Sequence, residues 1–268
     1  MRRSVMAIGR STAALVIAVT FLGLPAHAQW LNHPSPGIPR TPDGKPDLTA
    51  PAPRAANGKI DLSGIWTRVA PERPADPLPQ PSDLADYLVG ASKIDMLPAS
   101  TETYRQIVAA SGAGHPSEAC LPKTLPNQIL LPLPIEIVQS RGVTFMLFEE
   151  FNHFRQVLTD GRTHPADMNP TWFGYSVGTW EGDTFIVDTR GFRDGLWLDG
   201  RGHTATSRLR TIERWDRRDM GHLRLRLTID DPGAYSQPFT AEIPFTLVPD
   251  TTLLEYVCEN EKFAAKRK

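Results

Sequence analysis

The chain has 268 residues, 40% of them apolar and 22% charged, with 29 basic and 30 acidic side chains and a formal net charge of −1. This balance, without any block of lysine and arginine, argues against nucleic acid or an anionic membrane as partner. A mean hydropathy of −0.29, and no uninterrupted apolar run of about 18 residues, argue against a membrane-spanning helix.

Residues 1–28 read as a signal peptide. Arg2, Arg3 and Arg10 form a basic start, residues 12–24 an apolar core, and Ala26-His27-Ala28 a small-residue cleavage site before Gln29. Export to the periplasm or the medium is expected. The remaining 240 residues carry 26 basic and 30 acidic side chains. That length suits one large all-β domain or a small pair.

Residues 30–82 hold 12 of the 25 prolines, too evenly spread for a helix or central strand to persist. Within them Asp43-Gly44-Lys45-Pro46-Asp47-Leu48-Thr49 is echoed by Asn57-Gly58-Lys59-Ile60-Asp61-Leu62-Ser63. The stretch reads as an extended arm lying on the domain. The first strand follows at residues 64–69. A short helix from Ser82 or Asp83 to Val89 is predicted, and a second over residues 101–110 with Ser100 as N-cap and Gly112 as stop.

From Pro134 the apolar period becomes two. Strands are predicted at residues 135–140, 143–149 and 154–159, then at 175–180 and 184–189 around Glu181-Gly182-Asp183, a hairpin signal. Further strands follow at 206–215, 222–230, 239–247 and 253–258. Ten strands joined mostly by short turns must close or stack, since open edges invite aggregation. The fold class is therefore all-β, an antiparallel up-and-down barrel of about eight to ten strands. The expected organisation is a signal peptide over 1–28, an arm over 29–63, and a barrel over 64–268 with a loop and helical insertion at 70–133. Cys120 and Cys258 in an exported chain invite a disulfide, the alternative being two separate buried thiols.

Residues 57–66, 159–165, 174–192, 213–214 and 255–260 together resemble a widespread family of exported bacterial proteins of unknown function. Its hairpin motif appears here as Trp180-Glu181-Gly182-Asp183-Thr184. The resemblance covers nearly all of the mature chain and implies a lipocalin-like barrel and the Cys120–Cys258 pairing. It implies no reaction. This chain carries Tyr175 where the family commonly has histidine, and Ala205 where another histidine is expected, with His203 two residues earlier.

Several residues are candidates for chemistry. His164, on a loop after a turn, could act as a general base with Asp160 or Asp167 nearby. Tyr175 and Glu213 are the other candidates for proton transfer. Glu213 faces inward with Leu209 and Thr211, and Arg155, Arg190 or Arg226 could pair with it. Trp180 could stack on a ligand and Arg214 could anchor one. Gly174-Tyr175-Ser176-Val177-Gly178 matches a nucleophile-elbow pattern, but no helix follows it, so Ser176 is expected within a strand. His153, His164 and His203 lack metal-ligand spacing, so neither metal nor cofactor is expected. The leading expectation is a barrel holding one small, mainly apolar molecule. A metal-independent lyase, isomerase or hydratase using His164, Tyr175 or Glu213 is the alternative, and a partner-binding role for the arm is a third.

Overall fold

The computed structural model describes residues 33–71 and 82–258. The predicted signal peptide lies outside these residues. Twelve strands form, in chain order β1 (Gly64–Arg68), β2 (Leu88–Val89), β3 (Ile135–Ser140), β4 (Val143–Phe148), β5 (Phe154–Leu158), β6 (Tyr175–Glu181), β7 (Thr184–Arg190), β8 (Leu196–Trp197), β9 (Thr204–Ala205), β10 (Arg210–Arg217), β11 (His222–Asp230) and β12 (Phe239–Leu247). Nine of them close a barrel in the order β1-β3-β4-β5-β6-β7-β10-β11-β12, with β1 pairing back to β12. Strand β2 adds to the side of β12, while β8 and β9 form a separate small ribbon. The protein is an all-β barrel.

Alternation dictates which side chains fill it. On β11, Leu223, Leu225, Leu227 and Ile229 are buried while Arg224 and Arg226 are exposed, as a period of two requires. The interior is occupied by large side chains: Trp66, Trp215, Phe148, Phe185 and Phe245 are each almost wholly buried. Gly178 points inward, and a Cβ there would stand 2.6 Å from the Phe185 ring and 2.9 Å from Val157. The ring occupies the volume that any larger residue would need. Space for a ligand therefore lies at the barrel's ends and not along its axis.

The barrel is mixed and not purely antiparallel. β5 and β6 run parallel, pairing Val157 with Ser176 and Leu158 with Val177. Residues 159–174 return from one end of the barrel to the other before β6 begins, and a strand entered from that end must run parallel to its predecessor. The β6–β7 hairpin forms as predicted, with Gly182 at φ +60°, a conformation that favours glycine.

The arm is a structural repeat. In the first copy Thr41 donates to the Lys45 carbonyl, Gly44 to Thr41 and Asp47 to Pro39, and fourteen residues later Ala55, Gly58 and Asp61 donate to Lys59, Ala55 and Pro53 in the same pattern. Each copy is preceded by an arginine that reaches a loop of the barrel: Arg40 pairs with Asp250 at 2.7 Å and Arg54 with Asp183 at 2.7 Å. The Arg40 hydrogen bonds hold the Asp250 carboxyl down at about 2. Ile60 and Leu62 are buried, closing the end of the barrel that carries the β3–β4, β6–β7 and β10–β11 turns. We call this the arm end.

The opposite, capped end is covered by the insertion. Helix α1 (Pro98–Ala109) starts earlier than predicted because Pro98 suits the first helical position, and Leu97 provides no side-chain cap. The predicted first helix shrinks to a 3-10 turn, Leu84–Tyr87, which Asp83 caps through Ala85 N. Residues 253–258 form no strand; they are extended, with one bridge between Glu150 and Tyr256. The predicted strand from Thr206 begins only at Arg210, because Thr206 N and Oγ1 are held by Asp231 at 2.6 Å in a turn. Cys120 and Cys258 are disulfide-bonded, with their Cα atoms 5.7 Å apart.

Candidate functional site

The residues singled out in the sequence do not converge. Glu213 lies inside the barrel, with Arg155 donating to its two carboxylate oxygens at 2.7 and 2.9 Å and Trp215 Nε1 at 3.0 Å. The same guanidinium donates to Ser176 and Thr189 and touches the Met146 sulfur. Glu213 thus serves as half of an internal ion pair, and Ser176 sits in a strand as that pair's neighbour. Tyr175 alternates outward, and its hydroxyl donates to the Asn169 carbonyl at 3.1 Å. His164 Nε2 lies 3.1 Å from the carbonyls of Tyr175 and Asp188, so that nitrogen carries the proton and pins the crossing loop to the wall. The barrel wall separates Tyr175 from Glu213. Arg214 is also outward, paired with Glu181 at 2.7 Å on the surface. Trp180 sits at the arm end against Phe185, ring centroids 5.0 Å apart.

A different set of side chains does converge, at the capped end. Residues 123–130 are buried without a break although they form no strand and only a single 3-10 turn, Asn127–Leu130. With them go Lys123, Thr124, Asn127 and Gln128. Lys123 forms a buried ion pair with Glu150 and lies 6.0 Å from the centre of the Phe151 ring. Glu150 belongs to the β4–β5 turn, where Phe151 and Asn152 take φ of +56° and +53°. Two successive left-handed non-glycine residues cost energy, and such strain gathers at functional sites. His153 follows, its ring edge-on to Phe151 at 5.9 Å and to Phe173 at 6.1 Å.

Asn127 links this pair to a second group. Its Nδ2 donates to His115 Nε2 at 3.1 Å and lies 3.5 Å from the Asp199 carbonyl. Two acceptors on one side fix the amide's orientation and leave Oδ1 buried without a partner. Asp199 is fully buried and is a lock for its loop: Oδ1 accepts from the backbone of Arg201, Gly202 and His203, and Oδ2 from Leu84 N and from His203 Nδ1 at 2.6 Å. Tyr104 of α1 packs on His203 with ring centroids 4.6 Å apart. Asp83, Asp199 and His203 bring possible metal-ligand atoms within 4.8 Å of one another. The Asp199 oxygens, however, already take five N–H donors, and Asp83 caps Ala85, so the trio reads as a hydrogen-bonded latch. His153 and His164 are not part of it.

Burial, and then the charge of Lys123, push the His115 imidazole down to about 4; burial also lowers His153. A histidine held neutral in the fold binds fewer protons than the unfolded chain between its unfolded value of 6.5 and that lower value. Stability should therefore be fully present above pH 6.5 and fall as the pH drops towards 4, by roughly 1–2 kcal/mol once solvent screening of this part-exposed ring is allowed for. Unfolding midpoints in denaturant at pH 7 and pH 4.5 check this. His115→Gln should flatten the slope, and an unchanged slope would remove His115 as its source.

Comparison with family models, curated proteins and solved structures finds no match for this chain. The site accordingly stands on its geometry.

Sequence reading missed Lys123, Asn127, Gln128, Glu150 and Asp199. One signal was present: residues 121–133 are rich in leucine and proline yet follow neither a helical nor a strand period. A segment so apolar must be covered, and its polar residues are buried along with it.

Proposed function

We propose that this is an exported barrel that binds a small molecule at its capped end, with an apolar body against aromatic side chains and a hydrogen-bond-donating head among buried acceptors. The resemblance to exported lipocalin-like proteins supports the first part. The carrying observation for the second is that Asn127 Oδ1, Gln128 Oε1, Glu150 Oε2 and His153 Nδ1 are all buried without a hydrogen-bond partner. Each such atom costs roughly 1–3 kcal/mol unless something meets it. Three of the four only accept, so the complement is a donor-rich group, such as an amine or a set of hydroxyls. Phe151, Phe173 and the Phe148 ring stacked on Phe173 at 5.8 Å supply the apolar wall. Native mass spectrometry of protein isolated from its own host should show a bound molecule released on denaturation. Gln128→Met should lower its occupancy at least tenfold without lowering the thermal midpoint. Protein that carries no molecule, together with a Gln128→Met variant that is more stable, would mean the acceptors face water alone.

The Asp199–His203 pair favours a second reading, proton transfer on that ligand. A carboxylate on Nδ1 orients an imidazole and leaves Nε2 for a substrate, the arrangement of a general base. This moves the role from His164, Tyr175 and Glu213 to His203. Turnover of the recovered molecule by the parent protein and its loss in His203→Gln would support it. No turnover by the parent would end it.

A further inference from the structure

The arm end carries a cleft of about 330 Å³, lined by none of the capped-end residues. The arm provides Asn57 and Lys59, the β3–β4 hairpin Arg141 and Thr144, β6 the indole of Trp180, and Thr159 the far wall. Two cations line this cleft and no carboxylate does. The acids of the neighbouring turns are already engaged: Asp160 with Arg162, Asp183 with Arg54, and Glu181 with Arg214. Lys59 Nζ donates to the Gly182 carbonyl at 3.1 Å, which holds its charge at the rim. Arg141 makes no hydrogen bond or ion pair among the described residues, so its planar fork is available. Trp180 rests on Phe185 and is half-buried, presenting the rest of its ring system to the cleft.

We propose that this cleft binds a carboxylate carried on a six-membered ring, one face of the ring lying on Trp180 and the carboxylate meeting Arg141 with Lys59 beside it. A guanidinium fork matches a carboxylate bidentately, and an indole face accepts either an aromatic ring or the C–H face of a sugar. One free guanidinium and one partly engaged ammonium match a monoanion. Two sources share this chemistry, an aromatic acid and a uronic sugar.

Calorimetric titration of the full chain with benzoate and, separately, with galacturonate tests the proposal and separates the sources. Saturable binding of one acid below 10 mM, on the order of the weak affinities of small ligands, is expected, with the neutral counterparts benzamide and galactose at least tenfold weaker. Arg141→Ala should weaken binding at least tenfold and Trp180→Leu should abolish it. Arg141 is unpaired, so Arg141→Ala should leave the thermal midpoint unchanged and the loss cannot be blamed on unfolding. Saturation by neither acid, equal binding of the neutral counterparts, or unchanged affinity in Arg141→Ala would overturn the proposal.

Discussion

Glu213→Ala is expected to lower the unfolding free energy by about 3–5 kcal/mol, the usual cost of stranding one member of a buried ion pair. Arg155 and Glu213 have side chains only 1% exposed. The guanidinium spends its donors on Glu213, Ser176, Thr189 and the Met146 sulfur, so it has nowhere to turn once the carboxylate is gone. Arg155→Met should cost a similar amount by leaving the carboxylate bare. The double variant Arg155→Met with Glu213→Leu should recover most of the loss, because a well-packed apolar pair often equals or exceeds a buried ionic one. Chemical denaturation of the parent, Arg155→Met, Glu213→Leu and the double variant gives the coupling directly. Single variants within 1 kcal/mol of the parent would show that the interior admits water. The pair spans β5 to β10 across two intervening strands, so it also fixes which strands face each other.

Removing the disulfide is the other large effect. Cys120 and Cys258 lie 138 positions apart in the chain. The chain-entropy model gives about 5 kcal/mol for such a loop, which for a chain of this size is a fall in thermal midpoint of about 10–20 °C. The local consequence matters more for the site. The segment ending at Cys258 crosses the β4–β5 turn, where Leu254 N donates to Glu149 at 3.0 Å and Tyr256 packs on Phe151 at 5.5 Å. Cys120→Ser should therefore raise amide exchange at Glu150 and His153 before it affects β10 to β12. Uniform loss of protection, or none, would show that the bridge does not clamp this turn.

The regular part of the fold was legible because it obeys one rule. From β3 to β12 the two-residue period marks strand and inward face together, and it placed Glu213 inside with Arg155 among its possible partners. The parallel β5–β6 pair was not legible, since alternation is the same in either strand direction and residues 159–174 carry no mark of which way they travel. Residues 253–258 look like a strand by composition, but β1 and β12 already pair with each other at the seam, and the segment is tied to the β4–β5 turn by the single Glu150–Tyr256 bridge. The site was the least legible part. His164 and Tyr175 drew attention as loop and strand residues of suitable chemistry, whereas the network around Lys123 is assembled from four separated segments. Only the folded chain brings Lys123, Asp199 and Glu150 to one end.

The seam of the barrel also sets an order of assembly. β1 pairs with β3 on one side and with β12 on the other, so Arg68 meets Phe245 across most of the chain. During synthesis β1 emerges early and can find β3 within a modest interval, yet its second partner is made almost last. Closure is therefore a late, non-local step that bears a large loop-closure entropy and is intrinsically slow. Until residue 247 is available the sheet remains an open ribbon with two free edges. The hairpins between β3 and β12 can pair as they appear, and only the β1–β12 seam must wait for the last strand.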